Sequence, residues 1–179
     1  MAKAQRDTER ELIEACQRGD SEAFELIYNN LSDKMYAVCL RYTKHNDDAK
    51  DVLQDAFIRI YKNLKQFRFS GSFEGWCRRI VVNTAIERIR KNGRLAEDSL
   101  ELAPETSVKA ESFEQLKYDD LMTLIRTLPD GYRTVFNMYV IEGYSHKEIA
   151  EELQVSESTS KTQLYKARLT LQQKLGNQR

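Results

Sequence analysis

The spacing of apolar residues between positions 48 and 65 is the feature that most restricts the fold of this chain. The apolar residues recur there at intervals of three and four, so they share one face of a helix. The chain of 179 residues has only seven glycines and two prolines, which leaves few places for long helices to be interrupted. We therefore predict an all-α fold. The apolar face consists of Ala49, Val52, Leu53, Ala56, Phe57, Ile60 and Leu64.

A segment without helical period divides the chain. Residues 93–112 carry Pro104, several Ser and Thr, and an acidic bias, which is typical of a flexible linker. We predict one small helical bundle at residues 1–92 and a second at 113–179. Fully extended, a linker of this length reaches roughly 60 Å, so the two bundles can occupy separate sites on a partner.

Capping residues mark the expected helix boundaries. Gly19 suits the end of a first helix at 8–18, and Pro129 and Gly143 bound a helix of the second bundle. The expected N-caps are Asp20 or Ser21, Asn46 or Asp47, Ser72, Ser145 and Ser156. In the second bundle a helix begins near Phe113. Three helices of this bundle have an expected core face. These faces consist of Leu116, Leu121, Leu124 and Ile125, of Val135, Phe136, Tyr139 and Val140, and of Leu164, Ala167, Leu169 and Leu171.

The charges are segregated although the net charge is zero, with 28 basic and 28 acidic residues. Residues 78–94 hold six basic residues and one acid, and residues 161–179 hold five basic residues and no acid. An acidic segment separates them. Electrostatic fields act over about a Debye length, so local patches decide which partners bind. The distribution predicts two basic surfaces that suit nucleic acid.

The sequence does not contain the residues or segments that several classes of function require. The cysteines Cys16, Cys39 and Cys77 are far apart among apolar residues, which predicts buried, reduced thiols in a cytoplasmic protein. His45 and His146 are isolated, and we expect both at the surface. Without an apolar run of about 18 residues we predict no membrane insertion. The chain has no nucleophile with a base, no phosphate loop and no metal-ligand set, so we predict no enzymatic activity, cofactor, metal or small-molecule substrate.

Residues 144–175 have the pattern of a helix-turn-helix, with a short capped helix, a tight turn and a second capped helix. On the second helix Lys161, Thr162 and Tyr165 share one narrow sector. This sector suits contact with DNA bases, and the alternative interpretation is an ordinary surface helix of a small bundle. Further donors are Ser158, Thr159, Gln163 and Lys166, and the residues expected near phosphate are Lys166, Arg168 and Lys174.

The helix at 48–65 carries a second stripe opposite its core. Asp51, Gln54, Asp55 and Ile58 fall at i, i+3, i+4 and i+7. This combination of acidic groups with an exposed isoleucine suits a protein partner that carries basic residues. The alternative interpretation is a solvated face without a partner.

Four stretches, in order along the chain, resemble the sigma factors of bacterial RNA polymerase, in the small extracytoplasmic-function group. "QRGDSEAFELIY" is similar to the start of the family, and "DAKDVLQDAFIRIYKNLKQF" to its polymerase-binding helix. "SFEGWCRRIVVNTAIERIRK" is similar to the helix that melts the promoter and reads the −10 element. "LPDGYRTVFNMYVIEGYSHKEIAEELQVSESTSKTQLYKARLTL" is similar to the domain that reads the −35 element.

This resemblance implies a role for each candidate site. The stripe of Asp51, Gln54, Asp55 and Ile58 is implied to contact the polymerase clamp helices. The loop at 66–75 is implied to hold a flipped −10 base. The residues implied at the −10 element are Phe69, Ser70, Phe73, Trp76, Arg78, Arg79, Asn83 and Arg90. Those implied at the −35 element are Ser158, Thr159, Lys161, Thr162, Tyr165, Lys166 and Arg168. The implied partners are core RNA polymerase, promoter DNA as duplex and melted strand, and an anti-sigma factor.

One position departs from the family, and two other functions compete with this one. Ser160 stands where relatives usually carry valine, so the second helix is expected to pack less tightly or to tilt. The main alternative is a helix-turn-helix transcriptional regulator that binds duplex DNA without acting as a polymerase subunit. A helical adaptor without a role at DNA leaves the two basic patches unexplained.

Overall fold

The structure, a computed structural model, describes residues 2–91 and 118–176, and the side chains of residues 8–91 and 120–175. Within these ranges it has no strand, which confirms the all-α prediction. The helices are α1 (Ala2–Gln17), α2 (Ser21–Tyr42), α3 (Asn46–Asn63), α4 (Phe73–Lys91), α5 (Tyr118–Arg126), α6 (Asp130–Phe136), α7 (His146–Leu153) and α8 (Glu157–Gly176). A 3₁₀ turn (Leu64–Gln66) follows α3, and a π-helical turn (Asn137–Ile141) extends α6.

The contacts divide the chain into two compact units. The first comprises Met1–Cys39 and Asp47–Thr84, and the second comprises Leu40–Asn46 and Ala85–Arg179. The predicted linker at 93–112 lies outside the described residues, as do the expected helix start at Phe113 and Leu116. The predicted boundaries at 92 and 113 therefore stay predictions.

The first unit is built on the apolar faces of α1 to α4. The predicted core residues of α3 are buried, apart from the half-buried Leu53. Gln17 fixes α1 to the end of α3, because its amide Nε2 donates to the carbonyls of Leu64 and Phe67 at 3.0 Å each. Ile13 is 2% exposed and packs α1 into the same core. The position of α1 is thus set by both apolar and polar contacts.

Local capping residues set several helix boundaries as predicted, although α1 begins at Ala2 rather than at residue 8. Gly19 lies between α1 and α2 and has a φ of +99°, a left-handed conformation that glycine adopts without strain. The Asp20 carboxylate accepts from the amides of Glu22 and Ala23 and caps α2. Ser145 forms a reciprocal capping box with Glu148 at the start of α7.

The second unit buries α5 to α8 around Ile125, Leu128, Met138 and Leu171. Three residues expected in this core are exposed instead, namely Tyr139 (37%), Val140 (48%) and Leu169 (37%). The π-helical turn is the reason for the first two. A π turn holds more residues than an α turn, so it rotates the following side chains away from the face that an unbroken 3.6-residue period predicts. Leu169 lies between the buried Ala167 and Leu171, on the opposite side of α8.

The C-terminal end of α2 belongs to the second unit, and side chains of this unit cap its last carbonyls. The Arg133 guanidinium donates to the carbonyl of Tyr42 at 3.2 and 3.3 Å, and Asn137 Nδ2 donates to the carbonyl of Arg41 at 2.7 Å. Arg133 is 1% exposed and forms an ion pair with Asp130. Terminal carbonyls have no partner within their own helix, so these bonds satisfy groups that would otherwise be buried and unpaired.

The three cysteines are free and buried, which confirms that prediction. Burial is the main reason why the pKa of Cys77 is raised to about 12, and the carboxylates of Glu74 and Glu9 add to the shift. A thiol with such a pKa stays protonated and is a poor nucleophile.

Candidate functional site

The acidic stripe of α3 is a real exposed surface. Asp51, Gln54 and Asp55 are exposed, and the side chain of Ile58 is 44% exposed. The structure therefore brings all four predicted residues together on one face of the first unit. An isoleucine that stays in water beside carboxylates is a feature of surfaces that bind another protein.

An apolar groove of about 640 Å³ lies between α2 and α3 and shares two residues with this stripe. Phe24 and Tyr28 of α2 meet Phe57 and Tyr61 of α3. The ring centroids are 4.9 Å apart for Phe24 and Tyr61 and 4.6 Å apart for Tyr28 and Phe57, in edge-to-face arrangements. The other lining residues are Lys50, Leu53, Gln54 and Ile58.

Sequence reasoning missed this groove. Phe57 was expected only in the core face of the helix at 48–65, and Tyr28 and Tyr61 were not among the predicted site residues. Tyr28 is 40% exposed and Tyr61 is 50% exposed. A tyrosine at the edge of an apolar helical face was the available signal, because tyrosine has an apolar ring with a polar tip and is enriched at interfaces.

The loop between the 3₁₀ turn and α4 borders a second cavity, of about 490 Å³. Phe67, Phe69 and Phe73 supply aromatic walls, together with Gly71 and Ser72. Phe69 has a φ of +58°, which is strained for an aromatic residue and is found mostly where a site over-determines the backbone. The remaining lining residues are Glu9, Arg10 and Ile13 of α1, which sequence reasoning did not include.

The aromatic residues of this loop form one cluster. Phe67 packs edge-to-face on Phe69 and Phe73 at 5.1 Å each, and Phe73 stacks on Trp76 at 5.8 Å with an interplanar angle of 21°. Phe73 is only 4% exposed, whereas Phe69 and Trp76 are half-buried and Ser70 is exposed. Of these four predicted −10 residues, Phe73 is therefore buried and the other three remain accessible.

The predicted −10 face of α4 is formed by side chains one and two turns apart. Trp76, Arg79 and Asn83 lie at i, i+3 and i+7 of α4 and so share one sector, with Arg79 exposed and Asn83 half-buried. Asn83 Oδ1 is buried without a hydrogen-bond partner. An unpaired buried acceptor is energetically costly in the free protein.

The other two predicted −10 arginines differ in their surroundings. Arg78 is half-buried. Arg90 is exposed and belongs to the second unit, where its Nη1 donates to the carbonyl of Glu152 at 3.3 Å. Arg90 is therefore engaged within its own unit.

The predicted helix-turn-helix is α7, a turn at 154–156 and α8. Gln154 ends α7 in the left-handed conformation, with a φ of +56°. The Ser156 hydroxyl accepts from the amide of Thr159 at 3.0 Å and contacts the hydroxyls of Ser158 and Thr159 at 2.7 and 2.8 Å. The predicted N-cap is thus confirmed, and it holds two of the predicted −35 residues in one hydroxyl cluster.

The side chains on the two faces of α8 differ in their exposure to solvent. Lys161 is exposed, and the other predicted residues beyond it are half-buried, namely Thr162, Tyr165, Lys166 and Arg168. Gln163 is 2% exposed, so the expectation that it presents a donor to DNA is wrong. It shares the inward face of α8 with Ser160, Leu164 and Ala167. Both polar atoms of its amide lack a hydrogen-bond partner, and nothing in the described structure accounts for them.

Ser160 joins the two helices of the motif. It is completely buried, and its Oγ lies 2.9 Å from Nδ1 of His146 at the start of α7. The His146 ring stacks on Tyr139, with centroids 4.5 Å apart and an angle of 25°. The guanidinium carbon of Arg168 lies 5.9 Å from the centroid of the same Tyr139 ring. His146 is half-buried rather than fully exposed, and at position 160 the place of an apolar residue is taken by a hydrogen-bonded pair.

The environment of His146 favours its neutral form. Burial lowers its pKa most, and the positive charges of Lys161 and Arg168 lower it further, against an opposing effect of Glu157. The pair is thus held in the uncharged state beside the cationic face of α8.

A chain with an exposed apolar groove, a basic helix beside a strained aromatic loop, and a helix-turn-helix has features of a DNA-binding subunit of the transcription machinery. Two family descriptions match it: Sigma-70 region 2 over residues 27–95 and Sigma-70 region 4 over residues 118–171. The RNA polymerase sigma-H factor of Pseudomonas aeruginosa is 30% identical, over 90% of this chain and 91% of that protein. The ECF RNA polymerase sigma factor SigW of Bacillus subtilis is 30% identical, over 91% and 94%.

The chain belongs to the extracytoplasmic-function sigma factors of bacterial RNA polymerase. Its function is therefore that of a sigma factor, which directs the polymerase to promoters. The alternative of a helix-turn-helix regulator is not favoured, because region 2 spans the first bundle, which such a regulator does not need.

A solved structure has the same fold. The sigma factor RpoE of Bartonella quintana, in complex with the anti-sigma factor NepR, aligns with a TM-score of 0.53 at 19% identity, over 87% of this chain and 98% of that one. In the part of the chain that the structure describes, no helix has the length and apolar character needed to cross a membrane.

Proposed function

We propose that this sigma factor binds core RNA polymerase through the stripe and groove of α2 and α3, and reads promoters at two further surfaces. The loop at 66–75 and the Trp76–Asn83 face of α4 bind the −10 element, and α8 binds the −35 element in duplex DNA. The protein has no chemistry of its own and acts where the polymerase acts, in the cytoplasm.

The observation that carries this proposal is the groove beside the stripe. Two half-exposed tyrosines, an exposed isoleucine and two acids occupy one surface of the first unit. A helix of a partner that presents apolar residues toward the groove and basic residues toward Asp51 and Asp55 buries both kinds of surface at once. Acidic groups at this surface make DNA an unsuitable occupant, which assigns it to a protein.

The −10 surface combines stacking groups with hydrogen-bonding groups. Aromatic rings at the loop provide platforms for unstacked bases, and such stacking contributes about 1–3 kcal/mol per base. Arg79 supplies an exposed positive charge, and the half-buried Asn83 places an amide side chain on the same face of α4. These groups suit the melted strand better than a closed duplex.

The −35 surface is the outward face of α8. Lys161 is its most exposed base-reading candidate, and Ser158 and Thr159 place hydroxyls at the helix start, where phosphates bind well. Lys166 and Arg168 add positive charge that acts on any sequence.

We further propose regulation by an anti-sigma factor. The similarity to RpoE, which was solved with NepR, supports the proposal only through the fold. The physical reason is the same groove, since a protein that covers it competes directly with polymerase.

Charge reversal tests the polymerase surface. The double variant Asp51→Lys/Asp55→Lys should weaken binding to core polymerase at least about tenfold, because it places like charges against a basic partner. Glu11→Lys/Asp33→Lys is the matched control, because both acids are exposed on the first unit and neither lines the groove. Equal affinities of both variants and the wild type would exclude the stripe from the interface.

A further inference from the structure

The cavity at the aromatic loop has one wall that does not come from the loop. Glu9, Arg10 and Ile13 of α1 line it. Ile13 is buried in the core of the first unit, and one turn further along α1 the Gln17 amide is bonded to the carbonyls of Leu64 and Phe67, where the loop begins. The helix that carries Glu9 and Arg10 is therefore fixed to the base of the loop, and these two side chains keep their place beside the cavity.

Arg10 has a defined orientation although it is largely exposed. Its Nε donates to Oε1 of Glu14 at 2.9 Å, one turn along α1. Its guanidinium carbon lies 4.9 Å from the centroid of the Phe69 ring, within the range of a cation–π contact. Phe69 is the residue with the strained, left-handed backbone. Arg10 thus covers the ring that the loop holds at an energetic cost.

Glu9 supplies the complementary chemistry. Glu9 lines the cavity from the α1 side, next to Arg10. A carboxylate only accepts hydrogen bonds and a guanidinium only donates them. The Watson–Crick edge of each base presents at least one acceptor and one amino or imino donor, so a base between these residues can satisfy both.

The size and walls of the cavity fit such a ligand. A volume of about 490 Å³ falls within the ~300–1,000 Å³ of small-molecule sites. Phenylalanine rings and the planar guanidinium are the groups on which unpaired bases stack in single-strand binding proteins. A metal ion or an anion would leave the aromatic walls without a role.

We propose that α1 forms one wall of the pocket for the flipped −10 base, with Arg10 stacking on the base and Glu9 accepting a hydrogen bond from its edge. Glu9 and Arg10 are then determinants of base preference at that position. The inference rests on the proposed function, in which the loop captures an unstacked base.

The experiment measures holoenzyme binding to fork-junction DNA whose non-template strand is unpaired through the −10 element. Each unpaired base is replaced in turn by an abasic site and by the three other bases. For the wild type, one abasic position should lower the affinity about tenfold, the size of one lost stacking contact. In Arg10→Ala that penalty should largely disappear. Glu9→Gln should change the ranking of the four bases at the same position.

Two further variants make the outcome decisive. Arg10→Lys keeps the positive charge but lacks the planar group that stacks on a base. It should therefore lose the abasic penalty as Arg10→Ala does. This variant also serves as the test if the alanine variant folds poorly. Glu11→Gln, which removes an exposed carboxylate of α1 outside the cavity, should behave as the wild type. A wild type with no abasic penalty anywhere in the −10 element would overturn base capture itself. A normal penalty and ranking in the Glu9 and Arg10 variants would overturn only the role of α1.

Discussion

Nδ1 of His146 and Oγ of Ser160 lie 2.9 Å apart and connect the two helices of the helix-turn-helix. Ser160 is completely buried, in a place where an apolar side chain would be expected to hold α8 against α7. A buried hydroxyl without a partner would weaken this contact, whereas a hydrogen bond across it restricts the angle between the helices. The departure at Ser160 is therefore compensated by His146, and α8 is held in a defined orientation.

The first prediction is that these two residues are energetically coupled. Ser160→Ala should lower the free energy of unfolding by about 1 kcal/mol, because the hydrogen bond is lost. His146→Phe keeps a ring to stack on Tyr139 but removes the nitrogen. A double-mutant cycle in urea should give a coupling of at least about 0.5 kcal/mol. Strictly additive effects would mean that the bond contributes nothing.

The second prediction concerns pH. The folded-state pKa of His146 lies below its ordinary value of 6.5, chiefly through burial and then through Lys161 and Arg168. The unfolded chain therefore binds more protons, so the stabilisation is complete above about pH 6.5 and is lost as the pH falls through the folded-state pKa. Between about pH 8 and pH 5 the stability of the wild type should fall further than that of His146→Phe. Parallel curves from denaturant unfolding would contradict this.

The third prediction separates stability from function at Asn83. Its Oδ1 has no partner in the free protein, so Asn83→Ala loses no hydrogen bond at that atom and should leave the stability unchanged within about 0.5 kcal/mol. Transcription that depends on the −10 element should nevertheless fall. Permanganate reactivity of the melted strand gives the direct measurement. A variant that opens promoters normally would show that Asn83 makes no contact with the −10 strand.

The fourth prediction concerns Lys161 on the exposed face of α8. Lys161→Ala should lower the affinity for a −35 duplex about tenfold more than the affinity for a scrambled duplex, since base contacts contribute roughly 1–3 kcal/mol of discrimination. Lys147→Ala removes the same charge from α7 and should reduce both affinities equally. Equal losses for Lys161→Ala on the two duplexes would restrict Lys161 to phosphate contact.

Local features of the fold could be predicted from the sequence. The period of α3 and the caps at Asp20, Ser145 and Ser156 depend on residues a few positions apart, and each of these was confirmed. The exposed faces of α3 and α8 followed from the same periods. The error at Tyr139 and Val140 has a local cause, because a single π turn breaks the period on which the expectation depended.

The sites that sequence reasoning missed need tertiary contacts. The groove forms where Tyr28 of α2 meets Phe57 of α3, and the cavity wall forms where Arg10 of α1 meets Phe69 of the loop. Neither pair is close in sequence, so no spacing rule brings its members together. The same holds for Ser160, whose departure from the family pattern was visible but whose partner, His146, was not.

The central claim is that this protein gives RNA polymerase its promoter specificity, and transcription from a promoter library with purified core polymerase tests it most directly. We predict start sites that depend on the added protein and share one −10 and one −35 element. These start sites should be lost with Asp51→Lys/Asp55→Lys and kept with Glu11→Lys/Asp33→Lys. Transcripts that do not depend on the protein, or start sites without shared elements, would contradict the account.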